Sequence, residues 1–465
     1  QEVEQMNLFK DMVCYQEEVR DPSRMAEVLN RVIEKAIRGS APAQINVPRD
    51  YWTQVIDIDL PPIVRLERQA GGVDAIEKAS KLLSEAKFPV ILSGAGVVIG
   101  DAIGDCVKLA EKLDSPVCSG YQHNDSFPGS HPLAVGPLGY NGSKAAMQLI
   151  SKADVVLALG TRLNPFSTLP GYGIDYWPKN AKIIQVDMNS DRIGLTKKVT
   201  VAICGDAKMV AQQLLGKLSP KAGDTDRKKR KDLIHQTKSA WLQELSSLDH
   251  EDDDKGTVWN KEARERDKDR MSPRQAWRGI QAGMPEDVII SSDIGNNCAI
   301  GNAYPTFEKA RKYLAPGLFG PCGYGFPAIL GAKIGCPDTP VIGFAGDGAF
   351  GISMNEMSSC ARKEWPAITM VIFRNYQWGA EKRNSILWFD DNFVGTELDP
   401  ELSYAKVADA CGLKGVTVKT MEETTKAIKQ SCEDQKKGIT TFIEVILNQE
   451  LGEPFRRDAM KKPVK

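Results

Sequence analysis

VIGFAGDGAF, from Val341 to Phe350, and AITMVIFRN, from Ala367 to Asn375, are the two stretches that decide the fold. The apolar run Val341 to Ala345 reads as a buried strand, and Gly346-Asp347-Gly348 after it lets the backbone turn sharply and approach a ligand. Beyond a helix-like stretch, Ala367 to Phe373 forms a second buried strand that delivers Asn375 to the same edge. Continuous apolar strands alternating with helices belong to a parallel sheet, which holds its ligands outside the carboxyl ends of the strands. Asp347 and Asn375 thereby offer a carboxylate and an amide oxygen at one edge, hard donors that suit Mg²⁺ shared with phosphate. The backbone amides around Gly346, Gly348 and Ala349 are placed to face that phosphate. A lone Gly-Asp-Gly is usually an ordinary turn, and only the strand, helix and strand interval before Asn375 sets this one apart.

With 465 residues the chain is too long for a single core, and two domains plus a partial third fit usual sizes. Lys plus Arg (60) balances Asp plus Glu (61), so charge gives no reason to expect nucleic acid or a membrane surface as partner, and small molecules are expected instead. No apolar run reaches the roughly 18 residues that span a bilayer. The ten cysteines fall singly, without Cys-x-x-Cys or zinc spacing, which suits a reduced cytoplasm.

Residues 1–55 read as a helix pair, the strand Gln44 to Val47 and a proline exit, too little to close a core and more like the tail of a domain. A central domain is expected over residues 72–218, with strands at Pro89 to Leu92, Val155 to Leu159, Ile183 to Val186 and Ala202 to Cys204 alternating with helices. Gly94-Ala95-Gly96 invites a dinucleotide reading, but the third glycine falls at Gly100 rather than position 99, so a tight strand-to-helix turn is the better account. Residues 219–270 carry Lys228-Lys229-Arg230-Lys231 and Glu251-Asp252-Asp253-Asp254-Lys255, opposite-sign runs expected in a solvated linker. Ser272-Pro273, a cap and a first-turn proline, opens a third domain over residues 271–465.

In that domain the strand Val288 to Ser291 runs into Asp293-Ile294-Gly295-Asn296-Asn297, where Gly295 frees the turn and two amides can donate to phosphate, although a capped turn would look alike. Gly317-Leu318-Phe319-Gly320-Pro321-Cys322-Gly323-Tyr324-Gly325 then opens a helix with the glycines a close-packed cleft needs. The fold class expected is α/β, with doubly wound parallel-sheet domains, two complete and one partial.

The Gly-Asp-Gly motif followed at this interval by Asn resembles the thiamine diphosphate enzymes, in their acetolactate synthase branch, over nearly the whole chain. The resemblance implies thiamine diphosphate and Mg²⁺, with Asp347, Asn375 and the Gln377 carbonyl on the metal and Asn296 and Asn297 on the diphosphate. It puts Cys322 where relatives carry a larger apolar wedge that bends the cofactor, and Glu381 where some carry a catalytic acid. Arg374 replaces the more usual Asn. The activating glutamate of the family sits in a pyrimidine-binding domain whose last strand Ala41 to Tyr51 resembles, implying roughly 100 residues of that domain upstream. The central stretch Thr161-Arg162-Leu163-Asn164, followed by Pro165 and Gly171-Tyr172-Gly173, departs from flavin-binding relatives, so FAD is not expected. Family sites form across a dimer, which implies a homodimer or homotetramer.

Trp388-Phe389-Asp390-Asp391-Asn392-Phe393-Val394-Gly395 and Asn448-Gln449-Glu450-Leu451-Gly452-Glu453-Pro454-Phe455-Arg456-Arg457 resemble the members of that branch that turn sulfoacetaldehyde and phosphate into acetyl phosphate and sulfite. Arg374, Arg383, Arg456 and Arg457 are then candidates for holding sulfonate and phosphate, each with solvated surface charge as its plain alternative. An acetolactate synthase-like enzyme acting on 2-oxo acids and a cofactor-binding protein without activity stay open, with an NAD-dependent dehydrogenase a weaker third.

Overall fold

A computed structural model describes residues 2–60, 62, 67–219, 225–248, 267–317, 319–362, 364–389 and 392–451. The chain divides into two units, Gln1–Arg68 and Gln69–Lys465. In the first, β1 (Tyr15–Glu18) pairs in parallel with β2 (Ala43–Asn46), and the helix Met25–Gly39 lays Val28 and Val32 on Val19. The expected helix pair is therefore a helix, strand and helix. Tyr15 to Glu18 pairs edge to edge with β2, as in Gln16 Nε2 to Gln44 Oε1 at 2.6 Å, a tertiary contact that four polar residues do not announce.

The second unit holds two six-stranded sheets, every strand pair in them parallel. One is built from β3 (Pro89–Ser93), β4 (Val117–Ser119), β5 (Ala134–Pro137), β6 (Val155–Leu159), β7 (Lys182–Asp187) and β8 (Val201–Cys204). Its spatial order is β5-β4-β3-β6-β7-β8. The other uses β9 (Ile289–Ser292), β10 (Tyr313–Leu314), β11 (Val341–Gly346), β12 (Thr369–Arg374), β13 (Lys414–Val418) and β14 (Thr441–Ile446), in the order β10-β9-β11-β12-β14-β13. The two apolar runs quoted at the outset are β11 and β12, neighbours in register from Ile342 opposite Thr369 to Gly346 opposite Phe373.

Both sheets reverse their winding beside their first strand, between β3 and β6 and between β9 and β11. Such switch points open a crevice at the carboxyl ends of the strands. The second crevice is braced from below, where Trp277 lies 4.7 Å from the Phe344 ring and 5.3 Å from that of Phe373.

The two sheets are stitched together beside that crevice. Asn124 Nδ2 donates to the carbonyls of Asn302 at 2.9 Å and Pro305 at 2.8 Å, and the Asp125 carboxylate accepts from the Lys312 amide at 2.9 Å. The charged run is less solvated than expected. It lies in the helix Thr225–Leu248, where Arg230 is buried on the carbonyls of Leu113 and Asp114, the negative end of the helix Ile103–Leu113. Residues 249–266, with the acidic run, lie outside the described residues. Among the described residues no helix is long and apolar enough to cross a membrane.

Candidate active site

β11 ends at Gly346, and Asp347 opens the helix Asp347–Ser353 with its side chain buried, 1% exposed. Asp347 Oδ1 accepts from the Gly348 amide at 3.0 Å, while Oδ2 accepts from the Tyr376 amide at 2.7 Å and Arg374 Nη1 at 3.1 Å. Burial raises this carboxyl to about 6, against the opposing pull of Arg374. Gly348 must be glycine, because a Cβ there would stand 2.8 Å from the Trp378 indole.

β12 carries Asn375 to the same point. The inner atom of its amide lies 3.3 Å from both Asp347 Oδ1 and the Gln377 carbonyl oxygen. With nitrogen inward the amide donates to both; with oxygen inward, three oxygens face one another, an arrangement suited to a cation. Tyr376, between the two, sits at φ 60, a left-handed conformation that costs about 1–2 kcal/mol. The guanidinium groups of Arg374, at 4.2 Å, and Arg270, at 4.6 Å, both lie over its ring, and its carbonyl accepts from the Leu398 amide at 3.0 Å. The buried charges beside the oxygens, Asp347, Glu444 and Arg374, leave one negative charge in excess, which also favours a cation.

Across the switch point, β9 runs into Asp293, whose carboxylate accepts from the amides of Ile294 at 2.8 Å, Gly323 at 3.1 Å and Gly325 at 2.7 Å. It thereby fixes the loop that carries Cys322. Gly295, at φ 130, lets the chain turn into the helix Asn296–Ile300. Asn296 Nδ2 and Asn297 Oδ1 are buried with no hydrogen-bond partner among the described residues. Asn296 Oδ1 accepts from Tyr140 Oη at 3.4 Å, which leaves Nδ2 directed at Gly379, where an added Cβ would lie 3.1 Å from it. Gly379 starts the helix Gly379–Trp388, whose first amides have no acceptor within the helix and favour an anion. A Cβ at Gly295 or Gly346 would meet nothing within 4 Å. Oxygens facing a cation, an unspent amide nitrogen and a helix start facing an anion, and open space between fit a metal-bound diphosphate.

The structure thus brings Asp347, Asn375, Gln377, Gly295, Asn296, Asn297, Gly346, Gly348 and Ala349 to one crevice. Cys322 is half-buried, its thiol raised first by burial and then by the charges of Asp293 and Glu381. Two of the expected anion ligands already hold protein partners. Arg374 is fully buried behind Asp347, and Arg383 is buried against Tyr140 Oη and the Leu451 carbonyl. Arg456 and Arg457 lie outside the described residues. The sequence reading missed Tyr140, which reaches over from the other sheet, and the helix start at Gly379. For the second a signal existed, a glycine shortly after Asn375; for the first there was none.

In the central domain, Gly94 and Gly96 pack on the backbone of the β6 end, their Cβ positions 2.6 Å from Gly160 O and Gly160 Cα. The turn is thus explained by close packing.

Comparison with known proteins gives two family matches, the thiamine pyrophosphate enzyme central domain over residues 76–214 and the thiamine pyrophosphate enzyme C-terminal TPP binding domain over residues 293–445. A probable sulfoacetaldehyde acetyltransferase of Rhizobium meliloti (strain 1021) is 78% identical over 464 residues, spanning 100% of this chain and 78% of the relative. The sulfoacetaldehyde acetyltransferase of Roseovarius nubinhibens is 74% identical, over 100% of this chain and 77% of its own length. Among solved structures, benzoylformate decarboxylase from Polynucleobacter necessarius shares the fold, with a TM-score of 0.74 at 19% identity over 96% of this chain and 78% of that one.

Proposed function

Because the chain belongs to the sulfoacetaldehyde acetyltransferase family of thiamine pyrophosphate enzymes, we propose that it converts sulfoacetaldehyde and phosphate to acetyl phosphate and sulfite, using thiamine diphosphate and Mg²⁺. The observation that carries the cofactor reading is the meeting of Asp347 Oδ1, the Asn375 amide and the Gln377 carbonyl within 3.3 Å contacts at the switch point. The cofactor bound there would supply nucleophilic carbon chemistry toward an aldehyde carbonyl.

The chain's own residues do the holding. Asp347, Asn375 and Gln377 hold the cation; Asn296 Nδ2 and the first amides of the helix Gly379–Trp388 take the diphosphate. Tyr140 orients Asn296, and Asp293 anchors the Cys322 loop, so that Cys322 would lie against the bound cofactor. Glu381, on the first turn of that helix, exchanges a proton at its carboxylate with the reacting centre. Overall the substitution is redox-neutral: a C–S bond breaks, a C–O bond to phosphate forms, and the former aldehyde carbon is oxidised as its neighbour is reduced. With Arg374 and Arg383 engaged by the protein, Arg456 and Arg457 are the proposed contacts for sulfonate and phosphate. The working form proposed is a homodimer or homotetramer in the cytoplasm.

The test is one assay on the complete protein. Sulfite and acetyl phosphate released in equal amounts from sulfoacetaldehyde and phosphate is the expected result. Carbon dioxide from pyruvate instead would favour the acetolactate synthase-like alternative, and cofactor binding without either product a catalytically silent protein.

A further inference from the structure

Tyr140 and Arg383 come from the two different sheets and meet beside Asn296. Tyr140 lies on the loop that follows β5, where its carbonyl accepts from Asn302 Nδ2 at 3.2 Å and the Gly142 carbonyl accepts from Tyr172 Oη at 3.0 Å. Arg383 lies one turn beyond Gly379 in the helix Gly379–Trp388. Both side chains are buried, and the guanidinium uses its two outer nitrogens on different partners. Nη1 donates to Tyr140 Oη and Nη2 to the Leu451 carbonyl, with the centre of the group 5.3 Å from the Tyr140 ring. Tyr140 Oη in turn donates to Asn296 Oδ1 at 3.4 Å.

The direction of these bonds is set at the arginine. A guanidinium has donors only, whereas a phenol hydroxyl and a carboxamide can each donate or accept. Arg383 Nη1 takes Tyr140 Oη as its acceptor, and the hydroxyl proton goes to Asn296. Only the oxygen of that amide can receive it, so Oδ1 turns to Tyr140 and Nδ2 to Gly379, buried and with no partner among the described residues. The contact to Oδ1 is long, and what passes along the relay is therefore polarity, the choice of which end of the amide faces the crevice. That choice decides the sign of the interaction: an amide nitrogen attracts a phosphate oxygen, and an amide oxygen in its place repels it. A Tyr140 hydroxyl without the arginine could equally accept from Nδ2, and Asn296 would present either end.

We infer that Arg383 is a positioning residue that aligns the Tyr140 hydroxyl and, through it, holds Asn296 with its amide nitrogen toward the diphosphate. The inference rests on the reading of Asn296 as a diphosphate ligand and deepens it, by naming what keeps the amide from turning over. The charge of Arg383 serves here as a donor that cannot reverse, not as the contact for an incoming anion.

The experiment is calorimetric titration of thiamine diphosphate into the complete protein at saturating Mg²⁺, for R383Q, R383K, Y140F and the double variant R383Q/Y140F. R383Q, whose amide can accept as well as donate, should weaken binding about tenfold, the scale of losing a hydrogen bond to a charged group. R383K, again a donor only, should stay within about threefold of the wild type. Y140F should lose about as much as R383Q, and the double variant no more than either single change, because Arg383 acts through the hydroxyl. Losses that add in the double variant overturn the inference, since Arg383 would then act on the anion directly by its charge. So does an R383Q affinity equal to the wild type's, or an R383K affinity as weak as that of R383Q. Where R383Q does not fold, Y140F, which removes one hydroxyl, decides by its loss or its lack of one. N296A separates the two possible failures: if it weakens binding while R383Q and Y140F do not, only the inference falls, and if it leaves binding unchanged, Asn296 is no diphosphate ligand and that reading falls with it.

Discussion

The two parallel sheets present the same local design at their switch points, a strand, a glycine turn and a helix, and put it to opposite uses. At the β3 and β6 ends the space over Gly94 and Gly96 is filled by Gly160 and Thr161, with Cβ positions as near as 2.5 Å to a neighbouring atom. At the β9 and β11 ends a Cβ on Gly295 or Gly346 would meet nothing, and polar atoms beside them are left buried and unspent. A glycine turn therefore says only that the backbone must pass close to something. Whether that is the chain itself or a ligand depends on what the facing strand brings: Gly160 in one case, Asn375 and its carboxylate partner in the other.

The sharpest way to break this contrast is D347A. It removes the only carboxylate among the three converging ligands and leaves Arg374 buried without that partner. Mg²⁺-dependent binding of thiamine diphosphate to the complete protein should weaken by about 100-fold or more, the scale of losing a charged ligand worth roughly 3 kcal/mol. Calorimetry decides it, and unchanged affinity would return the Gly-Asp-Gly turn to the class of the central one.

Next in size is a matched pair of alanines. G94A drives a Cβ to 2.5 Å from Thr161 Cβ and 2.6 Å from a carbonyl oxygen, and should cost on the order of 1–3 kcal/mol of stability through overpacking. G346A enters open space at φ -69, which any residue adopts, so thermal unfolding should move little while cofactor affinity falls. Unfolding scans and cofactor titrations on both variants would show whether the effects separate. A G346A that destabilises as much as G94A would mean that the second crevice, too, is packed by the chain.

The β11 and β12 strands were legible because each is a buried apolar run bounded by punctuation, and Asp347 and Asn375 follow from the ends of those runs. What escaped was set by tertiary context. Tyr15 to Glu18 becomes a strand only by pairing with Ala43–Asn46. Arg230 is buried while its neighbour Lys229 is not, because the carbonyls that end the helix Ile103–Leu113 come within reach of one position in the run. The arginines show the same limit more sharply: a guanidinium that can bind sulfonate can equally bind a carboxylate and two carbonyls, and residue type does not distinguish them. Arg374 was visible as a departure at that position, but its direction was not.

The last expected effect is on proton linkage, and it separates the two crevices by sign. His123, beside the central one, is held at about 4, below its ordinary 6.5, first by burial and then by Arg162. The unfolded chain therefore takes up the proton first. This group's contribution to stability is complete above pH 6.5 and is lost as pH falls through 4, at up to about 1.4 kcal/mol per pH unit. Asp347 is displaced the other way, raised to about 6 from 3.8, so its contribution to the stability of the metal-free protein is complete below 3.8 and is lost as pH rises through 6. A cation needs the ionised carboxylate, so Mg²⁺ affinity should be level above pH 6 and fall by up to about tenfold per unit below it. Urea unfolding of the metal-free protein should be nearly level from pH 4 to 6 in the wild type, where the two slopes oppose each other, and should lose stability with rising pH in H123Q, which leaves the Asp347 slope alone; calorimetric Mg²⁺ titrations over the same range should show the Asp347 dependence unaltered by H123Q. If H123Q also altered the Mg²⁺ dependence, the two crevices would share one proton-linked transition, and the contrast between a crevice closed by the chain and one open to a ligand would lose its independence.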